Sequence, residues 1–589
     1  MTASIVYGEA CGSRFLRQAW VPMRDGVRLA TSIFLPEAPG RYPVVVQRTP
    51  YGRLGWSGGW EQWVRNGYVF VCQDTRGRND SEGQFYPMVQ ETNDTPDTIA
   101  WIRQQEWCNG QVGTMGPSYL GWIQYLGVVG AVSGAGVPGG KPDAILPTFV
   151  PGDGYVRGFY NYGGMSLFLT FWWLCFDVGS RINNNEALGF FDVEKLCRHL
   201  PLETLDLACG AGVSPVWREV CARTTRDAWW QQISIRDQHQ HFTMPSLTVC
   251  GWYDYYPAEM IYNWQRMVAT ARTPEIARGH KLLLGPWGHH HALEPTADGH
   301  RAVDFGPQSG FDAIAIYRAW FDRIFKGIRP ADGLGDRPIR LFVMGANTWR
   351  DEDEWPLART RYINYYLHSD GHANTRHGDG SLQLSPPAAG RAESTHDSFD
   401  YDPANPVMTR GGNHSIGPWN DFYKDLIWCG PCDQGPNEDR TDVLVYTTPP
   451  LEADLEVTGP VTLRLWAASS APDTDWVGRL VDVYPDGKAI NITEGMIRAR
   501  FRAGDWERPE LITPGTVLDY TLDLQVTANV FKAGHRIRLE VTSSNFPLWD
   551  RNLNTGEHPN RSAAIAVAHQ QIWHDTLRSS CLVLPVIAS

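Results

Sequence analysis

A serine lies where a strand pattern in the sequence gives way to a helix pattern. The run Val112–Met115 is typical of a short buried strand, and Gly116-Pro117-Ser118-Tyr119-Leu120-Gly121 leads from it into a helical pattern. A serine at such a turn is exposed at the top of a sheet, and flanking glycines relieve the crowding. The helix N-terminus behind it favours negative charge on a substrate oxygen. Because the spacing is G-x-S-x-x-G rather than G-x-S-x-G, Ser118 alone is either a nucleophile or an ordinary loop residue.

Two later loops contain the other groups that a serine nucleophile needs. A hydroxyl needs a base to take its proton, and the base needs an acid that fixes its tautomer. Asp254 follows a predicted strand over Ser246–Cys250, and His289 follows another over Lys281–Leu284. This is the chain order of serine, acid and histidine in α/β hydrolases. We therefore predict that Ser118, Asp254 and His289 act together on an ester or amide carbonyl.

Two further motifs have competing interpretations. His289-His290-His291 could indicate a metal, but adjacent side chains do not face one centre and no Asp, Glu or Cys has suitable spacing. We therefore predict no metal site and assign His290 and His291 to a loop.

Cys429-Gly430-Pro431-Cys432 has the sequence of a thioredoxin-like redox pair, but a loop sequence follows it instead of a helix. For these cysteines we favour a structural role.

The composition is that of an ordinary soluble protein with more than one domain. At 589 residues the chain exceeds the ~250–300 residues at which a single core stops growing. A net charge of −13 without basic runs argues against a nucleic-acid partner. No signal-peptide pattern and no apolar run of ~18–20 residues is visible, which argues against a membrane partner. The 11 scattered cysteines suit a reducing compartment, so we expect a cytoplasmic protein. The expected partner is a small-molecule substrate, and a homo-oligomer is possible.

The order of strand and helix patterns predicts three structural parts. Strands and helices alternate over residues 1–145 and again over 243–354. The segment 146–242 lacks strand patterns and is rich in aromatic residues, which indicates a helical insertion between two halves of one sheet domain. Short β-rich runs separated by turns follow over residues 355–589. We therefore predict an α/β-hydrolase sheet domain with an inserted helical cap and a C-terminal jelly-roll β-domain.

Six segments resemble the cocaine esterase and X-Pro dipeptidyl-peptidase group of serine hydrolases (peptidase family S15, CocE/NonD), specifically its shorter esterase and acylase branch. They are Gln47–Tyr51, Gln73–Gly77, Gly116–Gly121, Gly251–Asp254, Gly285–His289 and Val481–Gly487. The resemblance implies the same three domains and a triad of Ser118, His289 and Asp254. It also implies an oxyanion hole made by the backbone N–H of Tyr119 and the hydroxyl of Tyr51. This chemistry needs no cofactor.

Two departures from the family bear on the substrate. Relatives that hydrolyse α-amino acid esters have paired acids just beyond the triad Asp, where this sequence has Tyr255-Tyr256-Pro257. The X-Pro dipeptidyl peptidases have an extra N-terminal region, and this sequence shows no counterpart of it. Aromatic residues instead favour a bulky or aromatic acyl group. The candidate pocket residues are Trp172, Trp173, Tyr255, Tyr256 and Trp287. We expect an esterase; an amidase or acylase, an acyltransferase and a non-catalytic carbohydrate-binding protein are the alternatives.

Overall fold

The computed structural model describes residues 8–10, 13–133, 136–289, 291–295, 301, 303–388, 396–414 and 429–588. The strands of the N-terminal part are β1 (Gly8–Ala10), β2 (Ser13–Pro22), β3 (Arg28–Pro36), β4 (Tyr42–Thr49), β5 (Val69–Asp74), β6 (Cys108–Pro117), β7 (Ala144–Thr148), β8 (Tyr160–Asn161), β9 (Gly164–Met165), β10 (Ser246–Gly251), β11 (His280–Gly285), β12 (Ile339–Val343) and β13 (Thr348–Glu352). The α-helices are α1 (Arg53–Trp56), α2 (Trp60–Arg65), α3 (Glu91–Arg103), α4 (Tyr119–Val132), α5 (Leu167–Trp172), α6 (Val193–Cys197), α7 (Leu205–Ala208), α8 (Pro215–Ala222), α9 (Ala228–Gln231), α10 (Pro257–Ala269), α11 (Pro274–Gly279), α12 (Ala313–Lys326) and α13 (Gly435–Glu438).

Eleven strands of the described residues form one mixed sheet. Their order is β1-β2-β3-β5-β4-β6-β7-β10-β11-β12-β13. The pairs from β5 through β12 are parallel, and the strands at both edges are antiparallel. Strands in the middle of such a sheet are covered on both faces, which explains the continuous apolar runs in β5 and β11. The predicted α/β sheet domain is therefore confirmed.

The sequence pattern did not predict β7. The strand β7 contains Pro147, which has no N–H and usually argues against a central strand. All five of its residues are nevertheless buried, and it pairs in parallel with both β6 and β10. The helical insertion consequently begins after Thr148, a few residues later than the pattern indicates.

The insertion between β7 and β10 contains α5–α9 and a small hairpin of β8 and β9. Its apolar run forms α5 and then widens into a π-helical turn at Trp173–Asp177, all five residues of which are buried. Such widened turns are common at functional sites because they change the direction of the side chains that follow. No helix in the described ranges is long and apolar enough to span a membrane.

The C-terminal part forms a second, β-rich domain. Its strands are β14 (Thr360–His368), β15 (Ser381–Gln383), β16 (His396–Tyr401), β17 (Leu444–Thr447), β18 (Leu455–Ser469), β19 (Asp475–Val483), β20 (Ala489–Arg498), β21 (Leu518–Phe531), β22 (Arg536–Thr542), β23 (Ala568–Trp573) and β24 (Cys581–Ile587). They pair almost entirely antiparallel, in the order β16-β23-β18-β24-β14-β15-β17-β22-β19-β20, with β21 also on β18. One apolar core lies between the inward-facing side chains of these strands.

The β-domain contacts the loop that follows β10 in the first sheet. The Asn413 side-chain amide donates to the Trp252 carbonyl at 2.5 Å, and the Tyr253 hydroxyl donates to the Asn491 carbonyl at 3.1 Å. The position of Asp254, one residue further along, therefore depends on both domains.

Candidate active site

Ser118 lies between the end of β6 and the start of α4 and is half-buried. Its φ of 57° is in the left-handed region, which a non-glycine residue adopts only where the surrounding structure imposes it. The Ser118 N–H donates to the Thr148 carbonyl at 2.9 Å and fixes the turn to the end of β7. Gly116 has a φ of 134°, and a Cβ there would lie 2.6 Å from the Cβ of Leu120. The strained turn holds the serine hydroxyl at the carboxyl edge of the sheet.

The displaced second glycine of the motif has a packing role. A Cβ on Gly121 would lie 3.0 Å from Cγ1 of Val150 and 3.2 Å from the Gly116 carbonyl oxygen. Gly121 therefore lets α4 approach the chain beyond β7, whereas Leu120 is buried at the position of the usual second glycine. The spacing G-x-S-x-x-G follows from this close contact.

Asp254 and His289 form a buried pair at the same edge of the sheet. Nδ1 of His289 lies 2.8 Å from Oδ1 of Asp254, and the two residues are 4% and 0% exposed. Since the ionised carboxylate can only accept, Nδ1 carries the proton and Nε2 is the nitrogen that can take one. Their loops follow β10 and β11, which pair in parallel up to Gly251 and Gly285. His289 and Ser118 both line one cavity.

Tyr51 follows β4 and lies beside Ser118. Nε1 of Trp173 donates to the Tyr51 hydroxyl at 3.0 Å, and Tyr51 and Ser118 line the same cavity. Burial raises the pKa of Tyr51 well above its usual value, and the nearby carboxylate of Asp177 raises it further. Tyr51 therefore stays protonated and can donate. The N–H of Tyr119, the first residue of α4, has no acceptor within the helix.

Buried arginines fix the loop that contains Tyr51. The Arg53 N–H donates to Oδ1 of Asp74 at 2.7 Å, and the two side chains form an ion pair. The Arg78 guanidinium donates to the Pro50 carbonyl at 2.7 Å and to the Asp177 carbonyl at 2.9 Å. These contacts connect two of the family-like segments to each other and to the helical insertion.

One cavity of about 360 Å³ contains these groups. Its walls are mostly aromatic and apolar: Tyr51, Trp56, Met88, Tyr119, Trp122, Pro151, Gly158, Phe159, Leu169, Trp172, Trp173 and Tyr256. Its polar groups are Ser118, His289, Asp177, Asn183 and Asn185. The predicted pocket residues Trp172, Trp173 and Tyr256 thus line the cavity.

Two predicted pocket residues do not line this cavity. Tyr255 is 7% exposed and packs against Tyr256 and His414, because consecutive loop residues point to different sides. Trp287 is 1% exposed; its ring packs on Phe311, and its Nε1 donates to the Ser309 carbonyl at 2.6 Å. The structure therefore places both residues outside the lining of this cavity.

Asp177 is a cavity residue that sequence reasoning missed. It ends the π-helical turn, is 5% exposed, and accepts hydrogen bonds at Oδ1 from the side-chain amides of Asn183 and Asn185. No Lys, Arg or His of the described residues lies within ion-pair distance of it, and burial raises its pKa to about 7. The sequence signal that could have identified Asp177 is its position directly after the apolar run Met165–Phe176.

We expect Asp177→Asn to stabilise the protein at alkaline pH and not at acid pH. A raised carboxyl pKa means that the folded protein holds the proton more tightly than the unfolded chain, so stability falls as pH rises from 3.8 to about 7. The amide keeps the acceptor oxygen and removes the charge. The apparent Tm of the variant should exceed that of the natural chain by about 2 °C or more at pH ~8.5, and the difference should nearly vanish at pH ~4. The exposed Asp237→Asn is the control, and an equal Tm difference at both pH values would contradict the assignment.

The histidine run and the CGPC motif meet beside His289. Nδ1 of His291 lies 2.8 Å from the His289 carbonyl oxygen and therefore donates to it, so Nε2 accepts from the Cys429 thiol at 3.3 Å. Burial lowers the pKa of His291 to about 4 and raises that of Cys429 to about 12, so both are neutral near pH 7. The short helix α13 begins three residues after Cys432. Cys429 thus anchors the loop that contains the proposed base, whereas His290 lies outside the described residues.

Comparison with known proteins identifies the family of both domains. Residues 25–291 match the family model of the X-Pro dipeptidyl-peptidase (S15 family), and residues 335–581 match that of the X-Pro dipeptidyl-peptidase C-terminal non-catalytic domain. The cocaine esterase of Rhodococcus sp. is 36% identical over 596 residues, which cover 96% of this chain and 97% of that protein.

Two solved structures share the fold over the length of the chain. An aminopeptidase from the marine sediment archaeon Thaumarchaeota archaeon has a TM-score of 0.79 at 25% identity, with 100% of this chain and 99% of that chain covered. An α-amino acid ester hydrolase has the same TM-score and coverage at 24% identity. These matches confirm the predicted fold class. The chain belongs to the cocaine esterase and X-Pro dipeptidyl-peptidase (S15) family, and it is a serine carboxylic-ester hydrolase.

Proposed function

We propose that this protein hydrolyses a carboxylic ester through an acyl-enzyme intermediate on Ser118, with His289 as base and Asp254 as its orienting acid. The observation that carries the proposal is the convergence of a strained serine turn, a buried histidine–aspartate pair and a protonated tyrosine on one cavity. Each group comes from the carboxyl end of a different parallel strand, where α/β sheets bind their ligands.

Acylation begins with attack by the Ser118 hydroxyl on the ester carbonyl carbon. The proton of Oγ passes to Nε2 of His289 as the Oγ–C bond forms and the carbonyl oxygen becomes an oxyanion. The Tyr51 hydroxyl and the Tyr119 N–H donate to that oxyanion. When the intermediate collapses, the C–O bond to the alcohol breaks and His289 returns its proton to the departing oxygen. Asp254 stabilises the imidazolium that exists between these two proton transfers.

Deacylation repeats the same steps with water. His289 takes a proton from the water, the hydroxide attacks the acyl carbon, and the Ser118 oxygen leaves with the proton that His289 then returns. An amine leaving group or an alcohol nucleophile would use the same atoms. Amidase and acyltransferase activity are therefore separate arms of the test below.

We expect Tyr51→Phe to lower kcat by about 10²–10³-fold with little change in KM, because loss of one oxyanion donor costs about 2.7–4 kcal/mol in the transition state. The steady-state kinetics of a p-nitrophenyl ester measure this. Tyr42→Phe, at the opposite end of β4, is the control, since its exposed hydroxyl donates to the Ala38 carbonyl, far from the cavity. An unchanged kcat in Tyr51→Phe would remove Tyr51 from the mechanism.

The cavity supports an ester with one bulky apolar or aromatic group. Its volume of about 360 Å³ is in the range of small-molecule sites, and indole rings such as Trp172 form much of its wall. The carboxyl of Asp177 is the acidic group among its lining residues, and it gives the cavity one position for a hydrogen-bond donor or a positive charge. We propose that acyl or alkoxy groups of aromatic size bind here.

A panel of p-nitrophenyl esters and matched anilides with acyl groups from acetyl to naphthoyl tests this function. We expect ester turnover, a kcat/KM that rises with acyl size up to a bicyclic ring, and anilide turnover that is much slower. Added alcohols or amines report transfer if they change the product without changing the rate of p-nitrophenol release. Faster anilide than ester hydrolysis would assign an amidase, and a preference for acetyl would contradict the bulky pocket.

A further inference from the structure

The two carboxylate oxygens of Asp254 have different hydrogen-bond donors. Oδ1 accepts from Nδ1 of His289 at 2.8 Å, whereas Oδ2 accepts from the thiol of Cys250 at 3.3 Å. Both Asp254 and Cys250 are 0% exposed. Within the described residues no other group donates to Oδ2. A buried carboxylate normally needs a donor at each oxygen, so the thiol supplies the second one.

The fold fixes the thiol under the carboxylate. Cys250 is the penultimate residue of β10 and pairs with Leu284 of β11, so the sheet ladder sets the direction of its side chain. The Asp254 N–H donates to the Gly251 carbonyl at 3.2 Å, which turns the chain back so that Asp254 lies over Cys250. A Cβ on Gly251 would lie 2.1 Å from the Trp287 carbonyl oxygen, so the loop of the acid and the loop of the base can approach only at a glycine.

We propose that Cys250 is a positioning residue for catalysis, whose S–H holds Oδ2 of Asp254 so that Oδ1 faces His289. The inference rests on the proposed function, because it assigns a role through the Asp254–His289 pair. Burial and the adjacent Asp254 carboxylate raise the pKa of the thiol, so it keeps its proton and acts as donor. Without this donor the carboxylate can rotate about its Cβ–Cγ bond, and the imidazole loses its fixed orientation.

A purely apolar role is the competing explanation, because buried free cysteines commonly act as small hydrophobic residues. Cys250→Ser and Cys250→Ala separate the two roles, since the replacements have similar volume and differ in the presence of a donor. If the thiol acts only by packing, both variants should behave alike. If it acts as a donor, serine should rescue what alanine loses.

The experiment measures kcat, KM and the pH dependence of p-nitrophenyl ester hydrolysis for both variants, with far-UV circular dichroism as the folding control. We expect alanine to lower kcat by about 10-fold or more at nearly constant KM, since a misplacement of ~1 Å can cost about 100-fold, and serine to restore kcat to within about 3-fold. We expect the acid limb of kcat/KM to move to lower pH in the alanine variant, because an imidazolium that has lost its fixed hydrogen bond to the carboxylate gives up its proton more readily. Equal kinetics in the two variants would overturn the proposal.

A spectroscopic measurement separates this proposal from the proposed function. The proton between Nδ1 of His289 and Asp254 should give a low-field proton NMR signal that the serine variant retains and the alanine variant shifts or broadens. This signal needs no substrate, so it tests the positioning role even if no ester is turned over. If alanine impairs folding, Cys250→Val and Cys250→Thr repeat the comparison at larger volume. An identical signal in both members of the folded pair would overturn the role of Cys250.

Discussion

We expect the Ser118→Ala protein to hydrolyse esters at least about 10⁴-fold more slowly than the natural chain. The variant loses the only atom that forms the covalent bond to the acyl group, while the oxyanion donors and the cavity stay in place. Binding should therefore change little, and the loss should appear in kcat. Initial rates with a p-nitrophenyl ester over a range of substrate concentrations measure both quantities.

Covalent labelling gives a second readout of the same residue. A fluorophosphonate should add once to the folded natural chain, at Ser118, and not to Ser118→Ala, as intact mass and peptide mapping would show. Ser133→Ala is the matched control: it lies at the exposed C-terminal end of α4, where its hydroxyl bonds to the Gly130 carbonyl, and it should label and turn over normally. Labelling at another serine in Ser118→Ala would move the nucleophile elsewhere.

We expect His289→Ala to lower kcat by about 10⁴–10⁶-fold, because the serine proton then has no acceptor and the departing alcohol has no donor. The structure also predicts a contrast with its neighbour. Among the described residues, His291 hydrogen-bonds only to the His289 carbonyl and the Cys429 thiol, and its lowered pKa of about 4 keeps it neutral. His291→Ala should therefore reduce kcat by only about 10-fold or less, through a less rigid loop.

The same ester assay on both histidine variants decides between them. Far-UV circular dichroism controls for folding, and the rate of fluorophosphonate labelling reports the nucleophilicity of Ser118 without turnover. Labelling should be nearly abolished in His289→Ala and only slowed in His291→Ala. A larger loss of kcat in His291→Ala than in His289→Ala would show that His289 is not the base.

Local patterns in the sequence determined most of the elements that support the site. Apolar runs between turn residues predicted β4, β5, β6, β10 and β11, because a strand covered on both faces must be apolar throughout. The position of Ser118 between a strand and a helix, with Asp254 and His289 after later strands, predicted which residues meet, since parallel strands end at one edge of a sheet. Tyr51 was accessible only through the family resemblance, because nothing local distinguishes it from a packed loop aromatic.

Only the tertiary structure decided which side chains face the cavity. Tyr255 and Tyr256 are adjacent and chemically identical, yet Tyr256 alone lines the cavity, because the packing of several chain segments sets the direction of each loop side chain. Asp177 reaches the site through the π-helical turn after α5, and Cys250 meets Asp254 because a turn folds back over β10. Such contacts join residues through close packing of distant segments, and no periodicity along one segment encodes them.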